Sequence, residues 1–283
     1  MLNLLRSDLY RITRIRGAGE LMVYGFICLL IYLAIIAVAI SVGLLTAGSG
    51  WMFIGSDGHS VYSVAIADIS LSGHLLPVLC CLAMSQVFFA EVDAGYEKSV
   101  NASVRGPWAR VVERVALAGT VSFCLTAITM VAGVATYLVG TWGTGTFDAA
   151  GSLLLWFLEV WFACWAYSLP PLIISWLTRR KMAGYLSVLY ATILPNILFL
   201  LASALDRLWH TPVLTGIYQA LAPFSPGTLI GHVADGAGAA LSAGAAAPFA
   251  FPGGFAVQAV VVLGVWAGIA TAAGLAIVSR RRG

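Results

Sequence analysis

Long apolar runs separated by short polar segments organise this chain from end to end. Six runs are each long enough to cross a membrane as a helix: residues 21–45, 71–89, 115–137, 153–177, 182–205 and 255–278. Only helices and closed barrels satisfy their own backbone polar groups in lipid. Because the runs lack the two-residue alternation of a membrane β-barrel, they predict an all-α polytopic membrane protein with six spans.

Composition excludes a water-soluble fold. The 283 residues are 60% hydrophobic and 10% charged, whereas an ordinary soluble domain has roughly 25% charged residues. We expect one transmembrane domain over residues 1–283. The first run is too long for a signal-peptide core and lacks a convincing cleavage site, so it is predicted to be a retained span.

Basic residues fall almost entirely on one side of the predicted spans. Fourteen of the 15 lie in four polar segments: Arg6, Arg11, Arg14, Arg16, Lys98, Arg105, Arg110, Arg114, Arg179, Arg180, Lys181, Arg280, Arg281 and Arg282. Arg207 alone falls on the other side. Because short cytoplasmic loops are rich in Lys and Arg, both termini are predicted to lie in the cytoplasm. The membrane is predicted to be a bacterial inner membrane. These short basic loops do not indicate nucleic-acid binding.

Neither a metal site nor a catalytic centre stands out. The five cysteines all lie within apolar runs and are interpreted as small packing residues, without disulfides. The four histidines are scattered, without ligand spacing. No protease-like pairing of a nucleophile with a histidine is visible, so no catalytic residue is predicted.

The first 16 residues are predicted to form an amphipathic helix in the cytoplasmic interface. Apolar residues recur there at three- and four-residue spacing, with arginines on other faces: Leu2, Leu5, Leu9 and Ile12. Such a helix either docks a partner or only anchors the topology.

The longest cytoplasmic connection follows the second span. A short helix between Gly95 and Val104 would present Lys98, Asn101 and Arg105 to a cytoplasmic partner. The pair Gly106-Pro107 predicts a turn before the next helix begins. The alternative is a solvated loop that only supplies positive charge.

The outward connection from 206 to 252 contains two apolar stretches, 214–222 and 228–233. We expect short helices that dip back to the membrane surface, with breaks at Pro223, Pro226 and Gly227. The stretch 236–247, nearly all Gly and Ala, is predicted to be a flexible tip.

Several polar and aromatic residues within the spans are candidates for a translocation pathway: Glu159, Trp161, Trp165, Asn196 and Gln86. A carboxylate inside a span costs about 3 kcal/mol on insertion scales and usually faces the bundle interior or a water cavity. The alternative for Glu159 is a side chain that reaches the outer interface. For the tryptophans it is an aromatic belt or helix packing.

Taken together, these features resemble the permease subunits of the type-2 family of ABC transporters. The opening Met-Leu-Asn-Leu-Leu-Arg-Ser-Asp-Leu-Tyr-Arg looks like that family's elbow helix, and the segment from Glu91 through Gly95 to Arg110 is similar to its first cytoplasmic loop with a coupling helix. Pro223-Phe224-Ser225-Pro226 is similar to a pattern common in its outward loop. Tyr96-Glu97 departs from the family, where Thr and a small or basic residue are common.

The resemblance implies an exporter in which two permease subunits, identical or different, enclose a pathway above two separate ATPase subunits. Contacts with the ATPase would come from Glu91, Gly95, Lys98, Asn101, Arg105 and Arg110. ATP and magnesium would bind to the partner, because neither Lys98 nor Lys181 completes a phosphate-binding loop in this chain.

The substrate class implied by that resemblance is hydrophobic or amphipathic: a peptide antibiotic, a drug or a lipid, as in antibiotic-resistance exporters. The outward loops are too short to dock a substrate-binding protein, which favours export. Two alternatives remain open at this point: an intramembrane enzyme that uses Glu159 with outward residues such as Asp57 and His59, and a non-transporting sensor or assembly protein.

Overall fold

The computed structural model describes residues 34, 61–67, 70–71, 74–93, 107–140, 146–210, 213–238 and 255–280. The predicted interfacial helix 1–16, the predicted span 21–45 apart from Ala34, the proposed coupling helix and most of the predicted tip lie outside these residues. Within them the chain is mostly helical, with one isolated bridge between Val61 and Thr146.

Eight α-helices are described, together with one 3₁₀ turn at Ala222–Phe224. They are α1 Tyr62–Ala67, α2 Leu75–Asp93, α3 Pro107–Gly140, α4 Ala150–Thr178, α5 Lys181–Trp209, α6 Val213–Leu221, α7 Pro226–Val233 and α8 Phe255–Arg280. Long helices account for most of each of the five apolar runs that fall largely within the described residues, which confirms their helical character.

Three of these helices are long and apolar enough to cross a membrane, over Trp108–Leu138, Ala150–Thr178 and Phe255–Ser279. The chain is therefore a helical membrane protein. We call the end that carries residues 150 and 255 the outer end, following the orientation predicted from charge.

Two helix starts show how local chemistry sets the boundaries. α2 begins at Leu75, later than predicted, because His74 adopts a left-handed φ of 55° and its N–H donates to the Leu71 carbonyl at 2.8 Å. α3 begins at Pro107, as the Gly106-Pro107 pair predicts, since proline suits the first helical position. Gly227 was expected at a break but lies inside α7, whose start is set by Pro226 instead.

α4 is the central helix of the described structure. It contacts α2, α3, α5, α7 and α8, and its buried side chains extend from Trp156 to Ser175. Tight helix contact is possible where a residue is small: a Cβ on Gly119 of α3 would lie 2.6 Å from Cε2 of Trp165. Small residues at such contacts let membrane helices approach closely.

Two consecutive prolines, Pro170 and Pro171, lie inside α4. Proline has no N–H, so Pro171 cannot donate to the carbonyl four residues earlier, that of Tyr167. Cys81 of α2 donates its Sγ–H to that carbonyl at 3.5 Å. The thiol therefore does more than fill space, which is the only role that the sequence predicted for it.

Candidate functional site at the outer half of the central helix

A helical hairpin packs against α8 near the outer end. This outer hairpin consists of α6, the turn Ala222–Phe224 and α7. Gln258 of α8 donates Nε2–H to the Pro223 carbonyl, and Trp266 of the same helix donates Nε1–H to the Phe224 carbonyl, both at 2.9 Å. Because these residues are about 12 Å apart along the helix, the turn lies beside α8 rather than above its end.

The turn of the outer hairpin also closes on itself. The Thr228 hydroxyl lies 2.7 Å from the carbonyl oxygens of Ala222 and Ser225, so one Oγ1–H serves this irregular stretch. Backbone groups that leave regular structure inside a membrane need partners from protein or water. Side chains supply such partners to this turn, and α7 contributes four buried residues to the packing, whereas α6 has none.

Trp156 joins the outer hairpin to the central helix. Its side chain is completely buried, and its Nε1–H donates to the Val233 carbonyl at the end of α7 at 2.9 Å. His232, next to Val233, packs edge-on against Phe255 at a centroid distance of 5.1 Å. Burial lowers the pKa of His232, and the carboxylate of Asp235 opposes that shift. The hairpin thus contacts both α4 and α8.

Glu159 lies about one turn inward from Trp156 on α4. It is only 4% exposed, and its Oε2 has no hydrogen-bond partner among the described residues. Along the helix axis the residue lies about 8 Å from the midpoint of α4, a shorter distance than the roughly 15 Å half-thickness of a hydrocarbon core. A buried carboxylate within an apolar helix, with an Oε2 that has no described partner, is the strongest functional candidate in this part of the chain.

Trp161 and Trp165 pack against α3 and do not share a site with Glu159. Their Nε1–H groups donate to the carbonyls of Gly119 and Val115 on α3, at 2.9 and 3.0 Å, and their rings stack at 5.8 Å. Glu159 and Trp161 are about 200° apart around α4, so they point to opposite faces. The contacts of both indoles are those of helix packing.

The remaining predicted site residues are dispersed. Gln86 is half-buried on α2, and Asn196 lies in α5 with its side chain outside the described residues. Arg110 is buried near the start of α3, close in sequence to Glu113 and Arg114, which are also buried. Glu91 lies in the last turn of α2, again without a described side chain. The other predicted coupling residues lie outside the described part: Gly95, Lys98, Asn101 and Arg105.

Two polar residues that the sequence analysis did not single out position the outer hairpin. Gln258 is 2% exposed, and an amide within an apolar run is the signal that could have identified it. Asp206, at the end of α5, accepts hydrogen bonds from the backbone N–H groups of Leu214 and Thr215 at 3.0 and 2.6 Å. Burial opposes ionisation of this carboxyl, but the hydrogen bonds from Thr215 and Leu214 outweigh burial and lower the pKa of Asp206.

No group of three or more His, Cys, Asp or Glu side chains in the described ranges is placed to hold a metal ion. Comparisons with family models, curated proteins and solved structures found no match. The class of protein is therefore defined by its own structure: a helical membrane protein whose central helix carries a buried carboxylate beside a docked outer hairpin.

Proposed function

We propose that this chain is the membrane-spanning permease subunit of an ATP-driven exporter. In this function it has six spans, an interfacial helix over residues 1–16 and both termini in the cytoplasm. A hydrophobic or amphipathic substrate crosses between this subunit and a second permease subunit. ATP and Mg²⁺ bind to separate ATPase subunits below the membrane.

The docked outer hairpin is the observation that most supports this proposal. The Pro-Phe-Ser-Pro turn that resembles the exporter family is held by α8 through Gln258 and Trp266, and the hairpin is held by α4 through Trp156. Its polar partners come from helices that are long enough to reach the other side of the membrane. Packed helices move as rigid units, so such a hairpin can follow a displacement that begins at the cytoplasmic end.

The inner ends of the same helices pack closely too. A Cβ on Gly274 of α8 would lie 2.7 Å from the side chains of both Trp176 on α4 and Val111 on α3. Arg114 of α3 places its guanidinium carbon 5.2 Å from the ring centre of Phe88 on α2. Four helices therefore meet at this end, and in the proposed exporter a push by the ATPase on one of them would reach the others.

Glu159 places a carboxyl group within the apolar interior of the proposed exporter. In this function the carboxylate faces the translocation pathway or the contact with the second permease subunit, where water or a polar group of the substrate provides its missing partner. An amphipathic substrate with a cationic or hydrogen-bond-donating group is the chemistry that such a carboxylate selects.

The first test is affinity purification of the chain from its native membranes in mild detergent, followed by identification of bound proteins and an ATPase assay. We expect a stoichiometric ATPase with a phosphate-binding loop, and we expect it to be lost when Lys98 and Arg105 are both changed to Glu. Arg207→Glu, a charge reversal on the predicted outer side, is the matched control and should retain the partner. A chain that purifies alone, or with a partner that lacks a nucleotide site, rules out the exporter.

A second candidate function, an intramembrane enzyme, draws its support from Glu159 alone. The buried Oε2 lacks a described partner and could act as a general acid or base. The two functions differ in a simple measurement, because an enzyme would turn over a lipid or peptide in vesicles that contain this chain and no ATPase.

A further inference from the structure

An apolar crevice lies between α3 and α4 in their outer halves. Its volume is about 370 Å³, which lies at the lower end of the range for small-molecule sites. The residues that line it are Tyr62, Ala127, Met130, Val131, Val134, Ala150, Leu153, Leu154, Trp156 and Phe157. None of them carries a charge, so the crevice offers no counterion to a charged ligand.

The two polar side chains in this lining are already engaged. The Tyr62 hydroxyl donates to the Met130 carbonyl at 2.7 Å, and the Trp156 Nε1–H donates to the Val233 carbonyl at 2.9 Å. A polar ligand would therefore give up its hydrogen bonds to water and find no free donor among these side chains. This lining is complementary to an uncharged hydrocarbon segment and to little else.

The crevice opens sideways, toward the surface that faces lipid. Val131 and Leu154 line it and are 72% and 61% exposed. The apolar residues Ile128 and Leu155, beside them on the same two helices, are also exposed. In the orientation proposed above, residues 150–157 lie between about 10 and 21 Å outward of the α4 midpoint, which is the depth of the outer leaflet.

We propose that this crevice binds one acyl chain of an outer-leaflet phospholipid. The membrane supplies that chain at the opening, at the right depth and without a polar group that needs a partner. The lipid stays anchored by its headgroup at the interface while its tail lies between α3 and α4. The proposal uses the orientation of the proposed function, but it requires no ATPase and no transport.

The test uses the full chain in phosphatidylcholine vesicles that contain a small fraction of a phospholipid with a diazirine near the end of one acyl chain. After photolysis, the labelled residues are mapped by mass spectrometry. We expect adducts on Met130 and Phe157 at several times the level on Leu138, which is exposed on α3 but does not line the crevice. Met130 is the decisive position, because it is buried and ordinary annular lipid does not reach it.

Labelling that simply follows exposure, with Leu138 and Leu155 labelled as strongly as Val131 and with Met130 unlabelled, would overturn the proposal. A pair of variants provides a second test. Ala127→Phe fills the crevice and should remove the adducts on Met130 and Phe157. Ala135→Phe adds the same group at an exposed position of α3 outside the lining and should leave them in place. The same labelling in both variants contradicts an acyl-chain site in the crevice.

Failure here and failure of the exporter proposal are separate results. The labelling experiment reports only on the crevice, whereas co-purification of an ATPase reports only on the partner. A labelled crevice in a chain without an ATPase leaves a lipid-binding membrane protein, and an unlabelled crevice beside a bound ATPase leaves the exporter intact.

Discussion

Helices α4 and α8 are similar in length and both are apolar, yet α4 is much more buried within the protein than α8. α8 is the more apolar of the two, but only 17% of its most apolar 18-residue stretch is buried, against 50% for the corresponding stretch of α4. Among the described residues α4 packs against five other helices. α8 leaves one face exposed along its length, including Val260, Gly264 and Ala272.

The comparison shows how a lipid environment changes the relation between how apolar a helix is and how deeply it is buried. In a water-soluble protein the most apolar helix is expected to be the most buried, but lipid is as apolar as a leucine side chain and removes that preference. α8 can therefore be the most apolar helix and still face outward. α4 is half buried against its neighbours and carries the polar groups whose partners are supplied by neighbouring helices. It also carries Glu159, whose Oε2 has no described partner.

The largest expected effect is a difference in sign between substitutions of two buried polar side chains, Glu159 on α4 and Gln258 on α8. Glu159→Leu should raise the free energy of unfolding by about 3 kcal/mol, because it removes a buried carboxylate whose Oε2 has no described partner. Gln258→Leu should lower it by about 1–3 kcal/mol, because the Pro223 carbonyl loses its donor. Unfolding of both variants in mixed micelles provides the measurement.

The same Glu159→Leu variant should lose transport while it gains stability, a combination typical of a functional residue. A conservative Glu159→Gln change separates charge from shape in the same assay. If Glu159→Leu is destabilising instead, then the carboxylate has a partner that stabilises the fold, and its role is structural.

A second contrast tests the close packing of α4. Gly119→Ala should destabilise the protein by about 1–3 kcal/mol, since the new Cβ would meet the Trp165 ring at 2.6 Å and push α3 away from α4. Gly264→Ala on α8 is the matched control, because no atom lies within 4 Å of its new Cβ. That control should be neutral or slightly stabilising, as alanine favours helix. Equal losses from both variants would mean that α8 is as tightly packed as α4.

The smallest expected effect concerns the two tryptophans that hold the outer hairpin. Trp156→Phe should cost about 1–2 kcal/mol, because it removes a buried donor from the Val233 carbonyl, which keeps only the longer bond of 3.3 Å from the Gly236 N–H. Trp266→Phe should cost about 0.5–1 kcal/mol, because its hydrogen bond to Phe224 is exposed. Thermal unfolding in detergent should rank them in that order, and the reverse order would show that α8 anchors the outer hairpin more strongly than α4.

Local signals in the sequence were enough to predict the elements, whereas the faces that the candidate residues occupy depend on how the helices pack. The short helices around the Pro223 to Pro226 turn follow from local signals, namely two apolar stretches interrupted by prolines. Glu159 was recognised because a carboxylate inside an apolar run is unusual in itself. Trp161 and Trp165 were grouped with it by proximity in sequence, but the helical rotation between them points their rings toward α3 and not toward a shared site.

The sequence by itself determined that this is a helical membrane protein, because apolar runs and turn residues are properties of contiguous stretches of chain. The same kind of information predicts the orientation from charge. Only the tertiary structure decided which carbonyl each polar side chain meets, since Trp156 and Val233 are 77 residues apart and Cys81 and Tyr167 are 86 apart. Those pairings depend on the rotation and depth of whole helices, which lipid-like apolar side chains leave open until the helices pack together.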